Sequence, residues 1–188
     1  MAFAAKGARA ARKRSSASEA FADPDGREPE ADPVEVAKRI VMQQLSVSAK
    51  SRHQLAQVLA QRAVPFEAAE VALDRFTELG YIDDAVFARS WVESRQRSRS
   101  LAGPALRREL VVKGIDREII DVVLLECVDD DAERVAAGEL VAKKLRSMRG
   151  VDADTATRRL VSMLARKGYR PGLAYSVVRE QLSLTSHR

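Results

Sequence analysis

The sequence predicts an all-α protein built from three tandem three-helix repeats that form an elongated, curved rod. Beyond Pro33, apolar residues recur three and four apart, and no period-2 run is sustained. The chain also aligns with itself. Leu55, Leu106 and Leu160 are each followed four residues on by Leu59, Leu110 and Leu164, and five further by Val64, Ile115 and Tyr169. The next segment offers Ala68, Ile119 and Leu173, then Ala72, Val123 and Val177 beside Leu73, Leu124 and Val178, at offsets of 51 and 54 residues. The turns match as well, in Lys113-Gly114-Ile115 and Lys167-Gly168-Tyr169.

Taken in order, residues 1–31 read as a disordered tail. Lys6, Arg9, Arg12, Lys13 and Arg14 precede any acid, and then Glu19, Asp23, Asp25, Glu28 and Glu30 are opposed by Arg27 alone. Such a stretch buries too little apolar surface to offset the entropy of ordering it. The repeats are expected over 32–82, 83–128 and 129–182, followed by a C-terminal tail over 183–188. Each begins with a first helix, at about 33–46, 84–99 and 132–149. A middle helix carrying Leu-x-x-x-Leu follows, then a short turn and a third helix. Pro65, Pro104 and Pro171 stand at or near first helical turns, where a missing N–H costs little. Gly80, Gly114, Gly150 and Gly168 follow apolar stripes, as helix-ending glycines do. Asp83 and Asp84 precede Phe87, Trp91 and Val92 and are placed to cap that helix.

Composition narrows the function. Apolar residues make up 46% and charged residues 31% of 188, so a core forms while most helices keep a wet face. No secretory pattern and no apolar run of about 18 residues is present, so a soluble cytoplasmic chain with no membrane span is expected. The single Cys127 excludes an internal disulfide and reads as a half-buried structural thiol. His53 and His187 lack neighbours at metal-ligand spacing, and no phosphate-binding glycine loop is present. Asp129, Asp130 and Asp131 lack the alternation of a calcium loop and read as a cap and linker. No catalytic residue, metal or cofactor is nominated, so binding rather than catalysis is expected. Tyr81, Tyr169 and Tyr175 read as core or inter-helix residues, not as a base-stacking platform.

The charge is basic overall, at +5, and it is placed in blocks. Residues 93–117 hold seven bases against three acids, and 143–170 hold nine against two; between them, 118–133 hold seven acids and no base. Such segregation favours an anionic partner. Lys143, Arg146 and Arg149 are spaced by three, on a helix face opposite Ala137, Leu140, Val141 and Leu145. Arg159 and Arg166 share a side of the next helix. Arg95 and Arg99 continue the stripe of Phe87 and Trp91, which places their guanidinium groups beyond the core, in water or on a partner. Arg107, Arg108 and Lys113 follow. Each is by itself an ordinary surface charge; together they make an anion-facing surface, with contacts that are sequence-independent and salt-sensitive.

The segment Tyr81-Ile82-Asp83-Asp84-Ala85-Val86-Phe87-Ala88-Arg89-Ser90-Trp91-Val92 resembles the signature of RecX proteins. Gly103-Pro104-Ala105-Leu106-Arg107-Arg108-Glu109-Leu110 with Lys113-Gly114-Ile115 resembles the segment that follows it there. The resemblance extends more loosely over 33–182. It implies a non-enzymatic regulator of the RecA recombinase; separately, a monomer is expected. Such a regulator binds the groove of the RecA–single-stranded DNA filament and inhibits ATP hydrolysis, strand exchange and co-protease activity, so modulating DNA repair and the SOS response. Under it Arg95, Arg97, Arg99, Arg107, Arg108 and Lys113 match the family's basic segment. Lys143, Lys144, Arg146, Arg149, Arg158, Arg159, Arg166 and Lys167 join them on charge and spacing. The stretch Ser98-Arg99-Ser100-Leu101-Ala102 departs from the family pattern in being less glycine-rich and less basic. Two other readings of the residues stay open. One is a helix-turn-helix DNA-binding regulator, and the other a helical scaffold that recognises protein alone.

Overall fold

Helix caps written into the sequence set most of the helix starts. The computed structural model describes residues 32–148 and 150–186, which form nine helices and no strand among the described residues. They are α1 (Pro33–Val47), α2 (Arg52–Gln61), α3 (Phe66–Glu78), α4 (Asp84–Arg99), α5 (Gly103–Val112), α6 (Arg117–Cys127), α7 (Asp130–Leu145), α8 (Ala153–Arg166) and α9 (Pro171–Ser186). The expected tail over 1–31 and the position of Arg149 lie outside the described residues. Asp32, Asp83, Asp116, Asp129 and Asp152 each accept a backbone N–H from the first turn of the helix they precede. They thereby satisfy donors that a helix leaves unpaired. Ser51 makes a full capping box with Gln54 at the start of α2. The first helix of the third set runs Asp130–Leu145 rather than 132–149, because Asp129 caps it early and a turn at Arg146 and Ser147 ends it. α9 continues through Ser186, into the stretch read as a tail.

The helices pack in threes, and all the extensive helix–helix packing lies within a set: α1–α3, α4–α6 and α7–α9. In each set the first helix lies on the third. An Ala-x-x-x-Val pair makes that approach possible, with Ala37 and Val41, Ala88 and Val92, and Ala137 and Val141 all fully buried. The middle helix adds Leu55 and Leu59, Leu106 and Leu110, or Leu160 and Leu164, none more than 1% exposed. Burying each such leucine contributes about 1.5–3 kcal/mol. The three middle helices end in the same turn, in which Val64, Ile115 and Tyr169 donate their N–H groups to Leu59, Leu110 and Leu164 carbonyls at 3.1–3.2 Å.

Successive sets meet at two seams of the same design. At the first, Ser51 Oγ donates to the Lys113 carbonyl at 2.6 Å, and the Arg52 N–H donates to Asp84 Oδ1 at 2.9 Å. At the second, the Ala102 N–H donates to the Lys167 carbonyl at 3.0 Å, and the Gly103 N–H donates to Glu133 Oε1 at 2.6 Å. Asp84 and Glu133 occupy equivalent places, eight residues before the buried Val92 and Val141. The N-terminus of α2 thus abuts the C-terminus of α5, and that of α5 abuts the C-terminus of α8. The helix dipoles run head to tail across each seam. Gly114 and Gly168 take φ of +72° and +92° and let the neighbouring set approach; a Cβ on Gly114 would lie 2.2 Å from His53 Cγ, and one on Gly168 would lie 2.6 Å from the Ala105 backbone nitrogen.

Two of the three tyrosines are more exposed than the reading as core or inter-helix residues expects. Tyr169 is buried and donates its O–H to the Ser100 carbonyl at 3.1 Å, across the second seam. Tyr81 and Tyr175 are mostly exposed, at 67% and 58%. Tyr81 sits in the turn after Gly80, where its ring leans on Phe76 at a centroid distance of 5.8 Å, and Tyr175 lies on the outer side of α9. The thiol of Cys127 is half-buried, and burial, with Glu126 and Glu93 nearby, raises its pKa above the usual thiol value. That favours the protonated thiol over the thiolate.

A basic groove across the second seam

Trp91, Arg95 and Arg99 are spaced by four on α4, so they form one row along the helix. The row starts on the core, where Phe87 and Trp91 stack at 5.9 Å, and climbs outward. Facing it, α5 presents Ala105, Arg108, Glu109 and Val112, with Lys113 as its C-cap residue. The end of α8 brings Arg166 from the third set. Together with Leu101 these residues line an open groove of about 530 Å³.

Glu109 organises the groove. Its Oε2 accepts from the Trp91 indole N–H and from Arg95 Nε, both at 2.8 Å, while Arg99 Nη1 stands 4.0 Å from Oε1. The Arg95 guanidinium lies 4.0 Å from the centre of the Trp91 ring and the Lys113 ammonium 4.5 Å from it. Two cations therefore share one indole, an arrangement that the ring's quadrupole favours. Here the structure corrects the sequence expectation for Arg95. Its head group is held on Trp91 and Glu109 rather than in water, because α5 supplies a carboxylate where the α4 stripe ends. Arg99 does reach solvent, at 60% exposure.

Of the residues nominated from sequence, the groove collects Arg95, Arg99, Arg108, Lys113 and Arg166. The others stand elsewhere. Arg97 is exposed and 3.9 Å from Glu93. Arg107 turns to the other side of α5, where it pairs with Asp121 at 2.5 Å. Lys143, Lys144 and Arg146 are exposed at the end of α7. Arg158 and Arg159 are exposed on α8, with Arg158 donating to Thr155 Oγ1 at 3.2 Å. Arg166 donates to Ser162 Oγ at 2.8 Å. Lys167 Nζ donates to the Arg99 carbonyl at 2.5 Å, a seam contact that steadies the end of α4. Arg149 lies outside the described residues.

Sequence reasoning missed the Trp91–Glu109 pair and the seam acids Asp84 and Glu133. Trp91 and Glu109 stand 18 residues apart on different helices, and no periodic signal links them. Among the described residues no group of three His, Cys, Asp or Glu side chains is placed to hold a metal ion, and no helix is long and apolar enough to cross a membrane. The groove offers guanidinium and ammonium donors over an aromatic and aliphatic floor. Such a surface suits phosphate or carboxylate groups.

Comparison with known proteins agrees with the fold. A sequence profile described as RecX, second three-helix domain, matches residues 83–124, which carry α4, α5 and most of α6. The chain is 49% identical over 155 residues to the regulatory protein RecX of Streptomyces coelicolor, covering 82% of each chain. It is 41% identical to that of Thermobifida fusca, covering 78% of each. The crystal structure of RecX from Lactobacillus salivarius has the same fold, with a TM-score of 0.74 at 17% identity, over 81% of this chain and 98% of that one. Three sets of three helices, the matched middle set and relatives at this identity over most of their length lead to one conclusion: the chain belongs to the RecX family of regulatory proteins.

Proposed function

We propose that this chain restrains a RecA-type recombinase by lying in the groove of the recombinase–single-stranded DNA filament. There it lowers ATP hydrolysis, strand exchange and co-protease activity, and so acts on DNA repair and the SOS response. The observation that carries the reading is the basic groove that joins the second and third sets, with five cationic residues lining it. Lys143, Lys144, Arg146, Arg158 and Arg159 are exposed on the third set and extend the positive surface. The chain of seams supports it too, since sets that touch only end to end suit an elongated ligand better than a compact one. Phosphate contacts of this kind weaken steeply with salt and carry no base preference. An occupied groove excludes a second DNA strand and resists the subunit motion that accompanies ATP turnover.

The test is the ATPase rate of a RecA recombinase on single-stranded DNA with this chain added below stoichiometry. Inhibition is expected, and it is expected to weaken in a variant with Arg99, Arg108 and Arg166 all changed to Ala. Absence of inhibition at any ratio sinks the reading. A gel shift with single- and double-stranded DNA, with and without recombinase, separates it from sequence-selective duplex binding and from protein-only recognition.

A further inference from the structure

The groove sets five cationic side chains against one carboxylate, and that carboxylate sits at the centre of the bonding rather than at the rim. Glu109 takes the indole N–H of Trp91 and Nε of Arg95 on one oxygen, and turns the other toward Arg99. A phosphate oxygen arriving in the groove asks for the same donors. At 4.0 Å, Arg99 is beyond hydrogen-bond distance of Glu109 and is more exposed than Arg95, so it is more readily drawn to an incoming anion than Arg95 is. Arg95 is held by two partners, the carboxylate and the ring.

We propose that Glu109 is a built-in competitor for the groove's ligand, the phosphodiester backbone of single-stranded nucleic acid. It positions Trp91 and Arg95 and at the same time withholds part of the positive charge of Arg95 and Arg99. By doing so it sets how tightly the backbone binds and how many counterions binding releases. The inference rests on the reading of the groove as an anion site and adds to it a residue that lowers affinity. A chain that must ride on a filament and leave it again needs such a limit, because five unopposed cations hold a polyanion through every phosphate they meet.

Trp91 is the sole tryptophan, so its fluorescence reports on this groove alone. The experiment titrates the full chain and Glu109→Gln with unlabelled oligothymidylate at several salt concentrations and follows that signal. The amide keeps an acceptor oxygen for Trp91 and Arg95 and deletes the charge. Affinity is expected to rise about three- to ten-fold at low salt, and the slope of log affinity against log salt to steepen by about 0.7, one further single-strand phosphate. Adding Arg99→Ala to Glu109→Gln is expected to return the slope to that of the unaltered chain. Glu109→Asp, which draws the carboxylate back from Arg99, gives a smaller gain of the same sign and carries the test if the Gln variant does not fold. Equal or weaker binding with an unchanged slope overturns the proposal and leaves Glu109 a brace. If the unaltered chain inhibits recombinase while Trp91 never responds to oligothymidylate in either form, the competitor role fails and the filament reading stands. If Glu109→Gln tightens oligothymidylate binding while no form inhibits recombinase, the filament reading fails and the competitor role stands.

Discussion

Gly114, Gly168 and Ala63 occupy the same place in three equivalent turns, at φ of +72°, +92° and +57°. The first two face a neighbouring set, and a methyl group there meets His53 or the Ala105 backbone. Gly168→Ala is expected to cost about 2–4 kcal/mol, since backbone cannot give way, and Gly114→Ala about 2 kcal/mol. Ala63→Gly is expected to gain about 0.5 kcal/mol, the relief of a left-handed alanine less the added freedom of the unfolded chain. Urea unfolding of the three variants checks the order, and equal losses at all three positions would remove the seam from the explanation. Tyr169 makes a second residue-scale prediction. Burial, with Glu133 nearby, pushes its phenol up from 10.0 to about 12. The folded state holds its proton more tightly than the unfolded chain, so this stabilisation is complete below about pH 10 and is lost as pH rises toward 12. The unfolding midpoint of the unaltered chain is expected to fall more between pH 9 and pH 11 than that of Tyr169→Phe. The glycine turns were legible because Lys-Gly before an apolar residue recurs in the sequence. The role of Tyr169 as a seam donor was not, because its partner Ser100 lies 69 residues away.

At the scale of elements, α2 and α5 borrow part of their N-terminal capping from the next set. Asp84 takes the Arg52 N–H and Glu133 the Gly103 N–H. Removing either acceptor leaves a partly buried donor unpaired. Asp84→Ala and Glu133→Ala are each expected to cost about 1–3 kcal/mol. Glu133→Gln, which keeps an acceptor oxygen, is expected to cost less than Glu133→Ala. Hydrogen exchange at the Arg52 and Gly103 amides gives the local readout; unchanged protection in the Ala variants would show that water replaces the carboxylates. The three-helix pattern was readable because 3.6-residue periodicity and capping are local. The seams were not, because Asp84 and Glu133 stand at helix starts, where acids are common for local reasons. Only the folded chain shows that their oxygens point to another set.

For the molecule as a whole, the block charge in the sequence became a surface on which Arg95, Arg99 and Lys113 of the second set meet Arg166 of the third. The blocks themselves were visible. Which members converge was not, since Arg107 and Arg108 are adjacent in sequence, and Arg107 is held on the other side of α5 by Asp121. Because the groove spans the second seam, loosening that seam is expected to weaken the proposed DNA affinity even where no groove residue changes. Gly168→Ala supplies the case, and oligothymidylate affinity measured well below its melting range is the check. The two seams also bear on how many sets such a chain can hold. Only the middle set presents both halves of the joint: an α5 start that accepts a following set, and a Gly114 turn that admits a preceding one. Ala63 fills the corresponding space in the first set, and α8 in the third begins a full turn earlier relative to its leucines than α2 or α5. The middle set is therefore a link between the other two. A longer member of this architecture would grow by copying 83–128 and leaving its neighbours as they are.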